Sequence, residues 1–288
     1  MFGIRRFRPA GGQAVTAILF LVPALLVLVA FRLWPAALSV AGSFQHNGEW
    51  VGLDNYVFLF QSDTAVQSLI VTLIYNVIIN PVQIAIAFAL ALLLVDKIVA
   101  PSVWRSLLLI PVGIPLAVSS VVWGIAFRPD DGAINAILMA LGFPAQPWLT
   151  SPDQALLAIM ILVSWVGVGY WAFFLTAGLK DIPSSLLEAA RIDGATYWQA
   201  LRYIVIPLMK RPLAFVLVAN TVSNFLLFPP IRILTAGGPS GSTNLIMHEV
   251  FLNAFTYDDQ GLASAEMVIL IAVLLLVVSL QFRFLRDR

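Results

Sequence analysis

The residues best suited to chemistry in this chain are amides and aromatics set inside apolar stretches. Asn220, Ser223 and Asn224, with Leu227, recur at helical spacing and so share one helix face. Gly167, Tyr170 and Trp171, with Phe174, repeat the pattern upstream. Amides exchange hydrogen bonds with hydroxyls, and aromatic rings offer flat apolar faces. The two stripes together suit a polyhydroxylated solute. A third stripe, Thr72, Asn76, Asn80 and Gln83, suits hydrogen bonds between helices. Its amides are secondary candidates for a solute pathway. Glu266 is an acid opening an apolar run, which makes it a functional suspect. It lies near the end of that run, where contact with water is an equally good account.

Covalent and metal chemistry find little support. The chain has no cysteine, and its two histidines, His46 and His248, are far apart with no second ligand at helical spacing. Zinc sites recruit three or four ligands, so no metal is expected. No G-x-x-x-x-G-K-[ST] segment occurs, so the chain has no phosphate cradle of its own and is expected neither to bind ATP nor to hydrolyse it.

The elements that must hold these residues are membrane helices. Of the 288 residues, 60% are hydrophobic and 11% charged. A soluble domain is about a quarter charged, and so apolar a surface belongs in lipid. Six segments have the roughly 20 apolar residues that a span needs. They are Ala14–Phe31, Leu69–Val95, Ser106–Phe127, Ala155–Leu179, Pro212–Phe228 and Ala263–Leu280. The expected fold is therefore all-α, integral to the membrane, with six transmembrane helices. Pro81 is placed to kink the second span, and Pro111 and Pro115 lie within the third. The first run follows Arg5, Arg6 and Arg8 but is too long for a signal sequence, so it reads as a retained helix.

Charge sets the orientation. With both termini cytoplasmic, inside segments hold Arg5, Arg6, Arg8, Lys97, Arg105, Lys180, Arg191, Arg202, Lys210, Arg211, Arg283, Arg286 and Arg288. That is 13 of the 16 basic residues. Only Arg32, Arg128 and Arg232 fall outside, as the positive-inside rule requires. The outer loops 35–68 and 128–154 have room for short interfacial helices, with Ala133–Leu141 the best candidate. Trp34, Trp50, Trp123 and Trp148 suit interface anchors.

The cytoplasmic loop 180–211 is the most structured connection. Pro183 suits a first helical turn, and Ser185/Glu188 and Thr196/Gln199 have capping-box spacing. Asp193-Gly194 breaks the chain between two short helices, and Pro207 is expected to stop the second. A rigid knob facing the cytosol suggests docking.

Within that loop, Glu188-Ala189-Ala190, then Gly194, then Ile204, Ile206 and Pro207 resemble the EAA motif of binding-protein-dependent ABC importer permeases. Ile206 stands where that family more often has Leu. Trp123, Arg128-Pro129, Gly132, Asn135, Trp148-Leu149 and Leu234-Thr-Ala-Gly-Gly-Pro239 are similar to its carbohydrate-uptake subgroup, typified by the larger maltose-importer permease. The resemblance covers about 69–288. It implies a core permease domain there (the MetI-like fold), with residues 1–68 as tail, first helix and outer loop. It implies a bacterial or archaeal cytoplasmic membrane. It also implies a second permease subunit in a heterodimer, two cytoplasmic ATPases carrying ATP and Mg, and an extracytoplasmic solute-binding protein, with no nucleic acid.

Glu188, Ala189, Ala190, Asp193 and Gly194 are then the ATPase-coupling residues. Glu188 either pairs with a base on the ATPase or closes the box on Ser185. By the same resemblance Gly167, Tyr170, Asn220, Ser223 and Asn224 contact the sugar, and Trp171 joins them on its own helix face. Asn220, Ser223 and Leu227 differ in type from the maltose protein. A glycerol-phosphate or phosphodiester importer is the alternative substrate class, disfavoured by the near absence of cations in the spans. A channel or receptor needs no docking knob.

Overall fold

The computed structural model describes residues 11–95 and 101–285. Among the described residues the regular structure is helical apart from one small hairpin. Helix α1, Gly11–Leu28, passes through a π-helical turn at Val29–Leu33 into α2, Trp34–Gly42. Strands β1, Gln45–His46, and β2, Glu49–Trp50, pair around Asn47-Gly48, whose φ values of 50° and 85° suit a tight hairpin turn. Helix α3 covers Asp54–Gln61. Helix α4, Asp63–Val95, runs unbroken through Pro81.

The third span is not one helix. It divides into α5, Pro101–Leu109, a 3₁₀ turn at Pro111–Gly113, and α6, Leu116–Ala126. Pro111 and Pro115 each lack an N–H and crowd the preceding turn, and two such sites four residues apart end the helix rather than bend it. Among the described residues five helices are long and apolar enough to cross a membrane, and α6 is a further, shorter apolar helix.

Helix α7, Ala133–Ala140, is the outer helix expected at 133–141, one residue shorter at its end. Helix α8, Pro152–Lys180, is the fourth span. The loop contains α9, Ser184–Ile192, α10, Tyr197–Ala200, a π turn at Leu201–Val205, and α11, Ile206–Leu208. Helix α12, Lys210–Phe225, is the fifth span, followed by α13, Pro229–Leu234, and the outer α14, Ile246–Phe255. Helix α15, Gln260–Leu285, is the sixth.

The core lies where α4 and α8 pack along their lengths. Tyr75, Ile79, Ile159 and Leu162 fill one end with Leu227, Ile231 and Leu245, and Ala87, Ala91, Ala172 and Leu175 fill the other with Met209 and Val216. Alanines on both facing helices allow the close approach that membrane packing relies on. Helices α2 and α3 rest on α15, while the first span exposes its apolar side chains.

The loop after α6 is organised around one buried side chain, with Gln154 adding bonds to Trp148 and Gln146. Asn135, fully buried, donates to the carbonyls of Pro129 and Gln146 at 2.9 and 2.8 Å. Its Oδ1 accepts from the Gln146 N–H at 3.0 Å and the Trp148 indole at 2.8 Å. Gly132 is required beside it, since a Cβ there would strike the carbonyls of Arg128 and Ala126. Trp148 and Trp123 therefore pack inward with Phe127, whereas Trp34 and Trp50 stay exposed as anchors would.

Candidate functional site

Helices α8 and α12 bring their polar stripes to one cavity. Its volume is about 350 Å³, within the range of small-molecule pockets. Gly167, Tyr170, Trp171, Asn220, Ser223 and Asn224 all line it, with Gln83 from α4 and with Val112 and Leu116 from the broken third span. No Asp, Glu, Lys or Arg is among its described lining residues. Tyr170 makes edge contacts with Trp171 and Phe174, each at 4.9 Å between ring centres, which presents an aromatic wall. The Ser223 hydroxyl donates to the Ala219 carbonyl at 3.0 Å, an ordinary resting place for a helical serine.

The third stripe stands behind this wall and is tied to it. Asn220 and Asn224 both donate their amide N–H to Asn80 Oδ1, at 3.0 and 2.8 Å. Asn224 also donates to Gln83 Oε1 at 3.0 Å. Asn80 in turn donates to the carbonyl oxygen and the Oδ1 of Asn76, at 2.9 and 3.2 Å, and Asn76 donates to the Thr72 carbonyl. Gln83 reaches Ser164 at 3.3 Å.

Two partners were not singled out in the sequence. Tyr75, fully buried, donates its hydroxyl to Asn224 Oδ1 at 3.2 Å, and Ser164 receives Gln83. Tyr75 sits at the helical spacing of Thr72, Ile79 and Gln83, and that register was the available signal. Glu266 does not join the cavity. It is 1% exposed near the outer end of α15 and accepts from Asn253 at 2.9 Å, so it does not open to water as a residue at the span edge was free to do.

On the loop, α9 exposes Glu188 and Ala189 and turns Ala190 inward at 8% exposure. The helix starts at Ser184 with Pro183 as its cap, so Ser185 lies inside the first turn and forms no capping box. Among the described residues Glu188 has no hydrogen-bond or ion-pair partner, leaving its carboxylate facing outward. The second box does form. The Thr196 hydroxyl accepts from the Gln199 N–H at 3.4 Å, and the Gln199 side chain accepts from the Thr196 N–H at 2.7 Å.

Between the helices, Gly194 takes φ 79°. The Ala195 N–H bonds the Ala190 carbonyl at 2.9 Å and the Gly194 N–H bonds that of Arg191 at 3.1 Å, the paired closure of a Schellman turn. Asp193 caps α9 just before it. Pro207 does not stop the chain of helices. The π turn at Leu201–Val205 widens the backbone ahead of it, so the ring is accommodated within α11, and the break falls at Met209.

The Leu234–Pro239 segment closes the outer end. Thr243 donates to the Gly238 carbonyl at 2.7 Å, and Gly237, at φ 86°, leaves room for the Asn244–His248 pair, bonded at 2.8 Å. His248 is buried on α14 with Nε2 unpartnered, and burial plus the nearby Arg232 lower its pKa.

A multi-pass helical membrane protein with a cleft lined by amides and aromatics and a structured loop between two of its spans is built as a transport component. Residues 12–288 match the family described as the binding-protein-dependent transport system inner membrane component, and the chain belongs to that family of ABC importer permeases. Such a permease conducts; it is not itself the catalyst.

The chain is 32% identical over 278 residues to the sn-glycerol-3-phosphate transport system permease protein UgpA of Agrobacterium fabrum, covering 94% of each. It is 31% identical to UgpA of Pectobacterium atrosepticum, covering 98% of this chain and 97% of that one. In fold it is similar to a chain in the crystal structure of a bacterial ABC transporter that imports the acidic polysaccharide alginate. There the TM-score is 0.84 at 20% identity, with 96% of each chain covered.

Proposed function

We propose that this permease passes an uncharged polyhydroxylated solute, a sugar, oligosaccharide or sugar derivative, through the cavity between α8 and α12. The cavity carries the proposal: six residues from two distant stretches meet there as two amides, a hydroxyl, a glycine and two edge-packed aromatics, without a charged group. A phosphorylated solute calls for cations where its charge rests. The loop 180–211 docks an ATPase through Glu188, Ala189, Ala190, Asp193 and Gly194. Two such ATPases carry ATP and Mg. A second permease completes the pore, and a solute-binding protein delivers from outside. Both termini face the cytoplasm. The second substrate reading is glycerol phosphate, favoured by the identity to the UgpA relatives.

The experiment is uptake into liposomes holding the purified complex, with solutes chosen by thermal shift of the associated binding protein. Neutral sugars should shift it, and Ser223→Leu and Gly167→Leu, which fill the cavity, should abolish uptake per intact complex. A response to sn-glycerol 3-phosphate alone would establish the second reading. Normal transport by both cavity-filling variants would remove the cavity from the pathway.

A further inference from the structure

We propose that Asn80 is a latch: a positioning residue that holds the solute-facing amides of Asn220 and Asn224 against the second span until solute takes its place. The proposal rests on the pathway reading above. Asn80 itself does not line the cavity. Its single Oδ1 nevertheless accepts from both amides that do, at 3.0 and 2.8 Å.

An asparagine amide has two N–H donors. On Asn224 both are taken up by α4, one by Asn80 behind the cavity and one by Gln83 on its wall. Its Oδ1 accepts from Tyr75. Asn220 and Asn224 are each 2% exposed, and in this state the three N–H bonds they make run to α4. A solute hydroxyl gains those bonded donors only when α4 releases them. In a buried setting an unpaired amide is costly, so the exchange is one partner for the other.

Entry of solute thereby converts a contact between α4 and α12 into a contact between α12 and solute. The second span is built to yield there. Pro81, next in sequence, has no N–H for the Val77 carbonyl and so omits one bond of the helical ladder beside the latch. Asn80 is in turn held by Asn76, which fixes its Oδ1 toward α12.

The test measures ATPase activity of the purified full complex with and without the solute-loaded binding protein, and solute moved per ATP, both per assembled complex. Asn80→Ala removes the acceptor. Asn80→Thr keeps an oxygen too short to reach both amides and disturbs packing less. Both should raise the activity seen without binding protein, Asn80→Ala by at least about fivefold, the factor for one of the two hydrogen bonds it removes, and both should lower solute moved per ATP.

A residue that only packs predicts lower melting temperature with unchanged unstimulated activity and unchanged stoichiometry, and that result in the assembled Thr variant overturns the latch. Ser223→Leu separates the two claims. If it abolishes uptake while the Asn80 variants behave like the parent, the pathway stands and the latch fails. If it transports normally, the pathway reading itself fails.

Discussion

Replacing Gly194 tests the docking loop through backbone conformation alone. The residue sits at φ 79°, and a Cβ built there meets nothing within 4 Å. An alanine therefore causes no clash, and its cost is conformational. A left-handed backbone costs an L-residue about 1–2 kcal/mol. The alanine also restricts the unfolded chain, which returns roughly 0.4–1 kcal/mol. The net loss for the Schellman turn is about 1 kcal/mol, or about a fivefold drop in the population of the correct knob.

Asparagine tolerates this region better, and a β-branched residue tolerates it worse. The order of loss should be Gly194→Asn, then Gly194→Ala, then Gly194→Val. The assay is the affinity of purified permease for its ATPase, read beside uptake per complex. Affinity should fall about fivefold for alanine and further for valine, while the membrane helices stay intact by circular dichroism. Equal affinity and full uptake for both would refute the claim that the turn shapes the docking surface.

Four further outcomes follow from the same geometry. Thr196→Ala should destabilise the loop by about 0.5–2 kcal/mol, as loss of a formed cap does, whereas Ser185→Ala should be silent; loop proteolysis rates compare them. Asn135→Leu leaves the Trp148 indole, the Gln146 N–H and two carbonyls without their partner, costing about 1–3 kcal/mol for a buried group so stranded, and should lower the melting temperature without changing uptake per folded complex. Because the folded pKa of His248 lies below its unfolded value, the unfolded state binds the proton first. Stability should hold above about pH 6.5 and fall below it until the folded pKa is passed, and His248→Gln should flatten that melting profile. Cysteines introduced as Glu49→Cys and Asp153→Cys should react with an impermeant maleimide from outside, and Ser184→Cys should not; the reverse pattern would invert the orientation.

The spans were legible because lipid selects for long apolar runs, and four of them lie close to where the hydropathy places them. The third was misread because an apolar run containing Pro111 and Pro115 has the same composition whether the helix bends or ends. Capping spacing alone also misled at Ser185: the box needs its serine at the cap, and Pro183 occupies that place by starting the helix two residues earlier. At Thr196 the same spacing coincides with an extended cap residue, φ −70° and ψ 162°, and the box forms. The stripes on α8 and α12 were readable as helix faces. That Asn220 and Asn224 direct their amides toward Asn80 was not, because those contacts span 140 and 144 residues of sequence. Periodicity assigns a face to a side chain, and the partner across that face depends on tertiary packing.

The placement of the loop explains how docking and cavity can act as one device under the proposed reading. The two walls of the cavity belong to the two helices that flank the loop. Tyr170 lies ten residues before Lys180, where α8 ends, and Asn220 lies ten residues after Lys210, where α12 begins. At 1.5 Å per residue each wall stands about 15 Å of helix away from the loop. Each wall is separated from α9 by a joint: residues 181–183 on the α8 side, and the Gly194 turn with the π turn at Leu201–Val205 on the α12 side. Under the proposed reading a push on α9 reaches the two walls through joints of different length, so the walls move unequally, which is what a cavity between them needs in order to open. The second span, bound to α12 through Asn80, resists that motion until the amides change partners.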